Sequence, residues 1–100
     1  MEGLLVELSQ KDAGGWLGCH IYLMEDGTFS VTYDYTADNT GIEAAKGTYV
    51  DNGDGTLTLT ADSGEEITVT VTDNGDGTKT YAAEVTEVNT SIVCNPTGKR

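Results

Sequence analysis

The sequence predicts an all-β fold: an antiparallel up-and-down meander of seven or eight short strands that forms a small barrel or barrel-like sheet. Three observations predict it. A six-residue string occurs twice, as Asp51-Asn52-Gly53-Asp54-Gly55-Thr56 and as Asp73-Asn74-Gly75-Asp76-Gly77-Thr78. Asn, Asp and Gly tolerate the left-handed backbone of tight hairpin loops, so each copy marks a turn. The runs flanking each copy alternate Thr with an apolar residue, which is the period of a half-buried strand. Finally, Thr accounts for 16 of the 100 residues, and its β-branched side chain suits the solvated face of a sheet. A one-faced sheet of this length must curl or fold over to cover its apolar side.

The elements follow in order. Residues 1–14 form an N-terminal segment of uncertain structure: Leu4, Val6 and Leu8 alternate as in a strand, whereas Glu7 and Lys11 at i,i+4 suit a short helix. Asp12-Ala13-Gly14-Gly15 breaks whatever precedes it. Cys19 to Met24 reads as a strand, Glu25-Asp26-Gly27 as a turn and Thr28 to Thr36 as the cleanest strand, with Phe29, Val31, Tyr33 and Tyr35 on one face. A loop over Ala37 to Gly41 leads to Ile42–Val50, in which Ala44-Ala45-Lys46 bulges or coils before Gly47 to Val50 pairs again. Leu57, Leu59 and Ala61 then share a face, and so do Ile67, Val69 and Val71 beyond a turn at Asp62-Ser63-Gly64-Glu65. After the second repeat Tyr81, Ala83 and Val85 alternate, and a bulge near Thr86-Glu87 restores the register of Val88. Asn89-Thr90 turns into a last strand at Ser91 to Cys94, and residues 95–100 form a frayed tail.

One hundred residues make a single domain. Seventeen acidic residues against five basic ones, a net charge of −12, exclude nucleic acid and anionic membrane as direct partners, because both would be repelled. Such a surface either keeps an extracellular β-protein soluble or imitates nucleic acid in the basic groove of a partner protein. No apolar run approaches the roughly 20 residues of a membrane span, so no direct membrane insertion is expected. The start does not read as a signal peptide, since Met1-Glu2 is acidic and Leu4-Leu5-Val6 is too short for an apolar core. The chain is then either cytoplasmic or an exported protein without its signal. Cys19 and Cys94 match no zinc-ligand spacing. They are either two separate buried thiols or a disulfide, whose loop of about 75 residues would contribute ~4.5 kcal/mol by chain entropy.

No enzyme is expected. Nucleophilic catalysis needs a base beside the nucleophile; the only histidine, His20, adjoins Cys19, and neighbours in a strand point to opposite faces. In a meander alternate turns share one end, so Glu25, Asp26, Asp51, Asp54, Asp73 and Asp76 are expected to form an acidic rim. Such oxygens suit a hard cation, but Gly at the third and fifth positions of each repeat departs from the EF-hand order, and turn chemistry alone accounts for the Asp residues. No metal and no cofactor are predicted. Trp16, Phe29, Tyr33, Tyr35, Tyr49 and Tyr81 are the candidates to line a site for a small apolar ligand, the alternative being that they fill a small barrel as its core. His20, Tyr22 and Met24 form an unexpectedly apolar row on the outer face, either covered by the N-terminal segment or open to a protein partner. The protein is expected to be a monomer, or a dimer through an edge strand if the barrel stays open. Asn89-Thr90-Ser91 matches the glycosylation acceptor pattern.

Leu23-x-Glu25-Asp26-Gly27-Thr28-Phe29-Ser30-Val31, followed by Lys46-Gly47-Thr48-Tyr49 and the run from Asp51 to Thr60, resembles the small lipocalin-like domains of bacterial secreted proteins and lipoproteins. Gly14-Gly15-Trp16 is similar to the Gly-x-Trp start of lipocalins. The resemblance covers residues 15–72. It implies a compact antiparallel barrel, an extracellular or cell-envelope location and a non-catalytic binding role. The reading from a different class is a small acidic cytoplasmic inhibitor that blocks a basic groove.

Overall fold

A computed structural model describes residues 2–11, 18–34, 41–87 and 92–100. Every regular element in them is a strand, as the alternation of Thr with apolar residues requires: β1 Leu4–Lys11, β2 Gly18–Met24, β3 Thr28–Asp34, β4 Gly41–Asp51, β5 Thr56–Ala61, β6 Glu66–Asp73, β7 Lys79–Ala83, β8 Val85–Glu87, β9 Ile92–Cys94 and β10 Thr97–Lys99. Eight of them close an antiparallel barrel in the order β1-β10-β7-β6-β5-β4-β3-β2, and β8 pairs only with β9.

Alternation dictates which residues fill the barrel. Leu8, Ile21, Leu23, Val31, Leu59 and Val69 are wholly buried, and no polar or charged side chain among the described residues is buried with them. An interior of eight strands is just wide enough for side chains to fill it. Phe29, Tyr33 and Tyr81 belong to this core, and for Phe29 and Tyr33 the structure favours packing over ligand contact. Two glycines allow backbones to approach where a side chain has no room. A Cβ on Gly47 would lie 2.0 Å from the Thr60 carbonyl oxygen, and one on Gly98 would lie 2.2 Å from that of Glu7.

Two bulges set the register. Leu4 faces Met24 but Val6 faces Leu23, which leaves Leu5 as the extra residue of β1. Val31 faces Ala45 and Thr32 faces Glu43, so Ala44 is the extra residue of β4, within the stretch predicted to bulge. The opening segment is a strand over Leu4–Lys11, and the helical alternative for Glu7 and Lys11 falls away.

The C-terminal third departs from the expected course. The chain does not bulge near Thr86-Glu87 within a continuing strand: β7 ends at Ala83, and β8 pairs with β9 in a separate two-stranded sheet. Burial of Val85 alone continues the alternation past this exit, which is why the sequence pattern gives no sign of it. Of the predicted last strand at Ser91 to Cys94, the described part, Ile92–Cys94, pairs with β8 and not with the barrel. Residues 95–100 are no frayed tail either. Thr97, Gly98 and Lys99 pair with Ala82, Tyr81 and Thr80, and Ser9 pairs with Thr97, so this short strand closes the barrel. Closure leaves β1 and β7 without the open edges on which the edge-strand dimer depended.

Candidate functional site

The turns after β2, β4 and β6 lie at one end of the barrel, as the antiparallel order requires. Their local chemistry is nearly identical. In the first repeat the Gly53 N–H donates to Asp51 Oδ1 at 2.8 Å, and the Thr56 hydroxyl and N–H both donate to Asp54 Oδ1, at 2.6 and 3.1 Å. Asn52 Nδ2 reaches the hydroxyls of Thr56 and Thr58. The second repeat repeats every bond: Gly75 to Asp73, Thr78 to Asp76, and Asn74 to Thr78 and Thr80. Asp26 receives the same pair of bonds from Thr28. In Asp26, Asp54 and Asp76 the threonine hydroxyl is the main reason that the carboxyl is held below the usual aspartate range.

The rim is therefore real as a placement, but its carboxylates are turned to their own loops. Asp26, Asp51, Asp54, Asp73 and Asp76 each spend one oxygen on a turn, and among the described residues no three acidic, histidine or cysteine side chains converge to hold a metal.

Within the same end lies a cleft of about 450 Å3. Leu5, Tyr49, Leu57, Val71 and Tyr81 give it an apolar floor, and Asp51 and Lys79 stand at its margin. Local structure places each of them. The β1 bulge carries Leu5 at the mouth. Tyr49 and Asp51 share the inward face at the end of β4, Leu57 opposes Asp51 in β5, and Val71 opposes Tyr81 across β6 and β7. The Tyr49 hydroxyl donates to the Met24 carbonyl at 2.7 Å, and its N–H donates to the Gly27 carbonyl, which ties the β2–β3 turn to this wall. Burial, with the nearby Tyr81, Asp26 and Glu25, pushes the Tyr49 phenol above its ordinary value.

Of the six aromatics singled out from the sequence, the structure brings Tyr49 and Tyr81 together in this cleft and puts Phe29, Tyr33 and also Tyr81 in the buried core. Trp16 and Tyr35 lie outside the described residues, as do the Asp12–Gly15 break, most of the loop after Tyr35 and the Asn89-Thr90-Ser91 pattern. Sequence reasoning missed Leu5, Leu57, Val71 and Lys79. Lys79 follows a turn in β7 and reads there as an ordinary solvated charge; only the inward parity it shares with Tyr81 marks it out.

On the outer face His20 stacks on Tyr22, with ring centres 5.9 Å apart, and its Nδ1 lies 3.2 Å from Glu7 Oε2. Cys19, 1% exposed, faces the core on the other side of β2. Residues 4–11 run beside the row rather than over it, with Glu7 opposite Tyr22 and Ser9 opposite His20. His20, Tyr22 and Met24 are half-buried.

No family model, curated protein or solved structure matches this chain.

Proposed function

We propose that the protein is a non-catalytic binding module, of the lipocalin-like type that its motifs resemble, and that it takes a small apolar ligand in the cleft at the barrel mouth. One observation carries this reading. Within a barrel whose interior is packed, Tyr49, Tyr81 and three aliphatic side chains remain gathered around an open cleft large enough for a small molecule. Aromatic walls supply contact area at little entropic cost. The reading includes an extracellular or cell-envelope location and a Cys19–Cys94 disulfide. Among the described residues there is no free cysteine, which supports the disulfide; an intact mass lighter by the lost hydrogens, restored on reduction, tests it.

Titration with N-phenyl-1-naphthylamine, a neutral apolar fluorophore, tests the site. Saturable enhancement is expected for the native chain, with loss in Val71→Arg, where a long charged side chain occupies the cleft. A folded native protein that gives no saturable signal would show the mouth to be ordinary surface.

The second reading, an acidic inhibitor seated in a basic groove, draws on the common end shared by Glu25, Asp26, Asp51, Asp54, Asp73 and Asp76. It requires partner binding that weakens steeply with salt.

A further inference from the structure

The cleft margin holds one carboxylate and one ammonium, and they do not pair. Asp51 stands on β4 and Lys79 on β7, both at the cleft. The one ion pair among the described residues is His20–Glu7, on the outer face. One oxygen of Asp51 accepts the Gly53 N–H, which leaves the other for a ligand. Asp73 faces Lys79 in register and, like Asp51, spends one oxygen on its own turn, but it forms no ion pair with Lys79. Arg100, opposite Lys79 across the β7–β10 seam, directs its guanidinium to the Leu5 carbonyl oxygen.

These charges discriminate among ligand classes. A wholly apolar ligand would take both groups partly out of water and give neither a partner. A simple anion would approach a chain of net charge −12 and an end carrying six carboxylates. A ligand with an apolar body and both charges satisfies Asp51, Lys79 and the floor at once. Spacing narrows the class further. Two strands separate β4 from β7, so the backbones are roughly 14 Å apart along the sheet, at about 4.8 Å per strand. Side chains reaching inward shorten that gap, yet the two charges form no ion pair. An α-amino acid holds its ammonium nitrogen and carboxyl carbon about 2.5 Å apart, whereas each added residue extends a chain by roughly 3.5 Å.

Building on the binding role proposed above, we infer that the mouth recognises a short apolar peptide with free ends, its ammonium at Asp51, its carboxylate at Lys79 and its side chains on Tyr49 and Tyr81.

Four forms of leucyl-phenylalanine test this: free, N-acetylated, C-amidated and blocked at both ends, each used to displace N-phenyl-1-naphthylamine. The free dipeptide is expected to bind at least about fivefold more tightly than either singly blocked form, the modest gain of a solvent-exposed charge pair. Asp51→Asn, which keeps the acceptor for Gly53, should erase the difference between free and acetylated forms only. Lys79→Met, which keeps the apolar stem, should erase the difference between free and amidated forms only. Equal displacement by the free and the doubly blocked dipeptide would overturn the inference and leave the apolar site standing. Failure of the fluorophore itself to bind the folded protein would overturn both.

Discussion

The two repeat hairpins and the closing seam hold the same barrel by opposite means. From β4 to β7 each strand pairs with its sequence neighbour over five register positions per ladder, and the loops between them satisfy their own polar groups. At the seam β10 supplies three residues, one register partner in β1 and three in β7. It is completed by the reciprocal Lys79–Arg100 backbone bonds, the Ala83 N–H to the Pro96 carbonyl and the Asn95 N–H to the Gln10 side chain. One region is assembled from local chemistry; the other depends on two ends of the chain meeting at a glycine. Local redundancy should make the first tolerant and the second brittle.

The largest effect is expected at Gly98→Ala. Its Cβ would be driven against the backbone of β1 at Glu7, and displacement of a packed strand costs about 3 kcal/mol. Urea unfolding would show it as a lower midpoint; an unchanged midpoint would mean that the seam gives way at no cost. Next come Asn52→Ala and Asn74→Ala, each losing its side-chain bonds with two threonine hydroxyls, at about 1 kcal/mol. They also separate the twin loops from each other. The Val71 N–H donates to the Gly55 carbonyl, so the first loop leans on β6, while among the described residues nothing lies within 4 Å of where a Cβ on Gly77 would stand. Amide exchange should therefore quicken more at Thr78 in Asn74→Ala than at Thr56 in Asn52→Ala.

Tyr49→Phe removes the hydroxyl that ties β4 to the Met24 carbonyl and should cost up to about 1 kcal/mol. It should also flatten the alkaline limb of stability. A phenol whose folded value is raised favours folding below its ordinary value of 10.0, and that contribution is lost as pH rises through the folded value. The smallest effect lies at the acid end. Asp26, Asp54 and Asp76 titrate below 3.8 when folded, so their contribution is present above that pH and is lost as pH falls through the depressed values. Acid titration of Asp54→Asn and Asp76→Asn should show a shallower loss than the native chain, by similar amounts if the loops are equivalent.

The same contrast explains what was legible in the sequence. Turn chemistry is written in adjacent residues, so the paired Asp-Asn-Gly-Asp-Gly-Thr strings located two loops. Alternation located the strands around them, and the extra residue near Ala44 was visible as a break in the pattern. Thr97-Gly98-Lys99 contains no apolar residue and no period, and what makes it a strand lies in β1 and β7. The exit after Ala83 was hidden because Val85 continues the alternation while leaving the barrel. At the mouth, Tyr49 and Tyr81 were recognisable by type. Leu5 and Lys79 become site residues only once closure brings the first, fourth and seventh strands around one opening.

The position of Gly98 also governs how the chain can fold as it is made. The ladders from β1 to β7 have all their partners by the time residue 83 has been synthesised, but the strand between β1 and β7 follows a whole hairpin later. Until then the nascent sheet has two open edges and an uncovered apolar face, so barrel closure waits for residues 97–99, and chains halted before Lys99 should stay open to pairing with other strands.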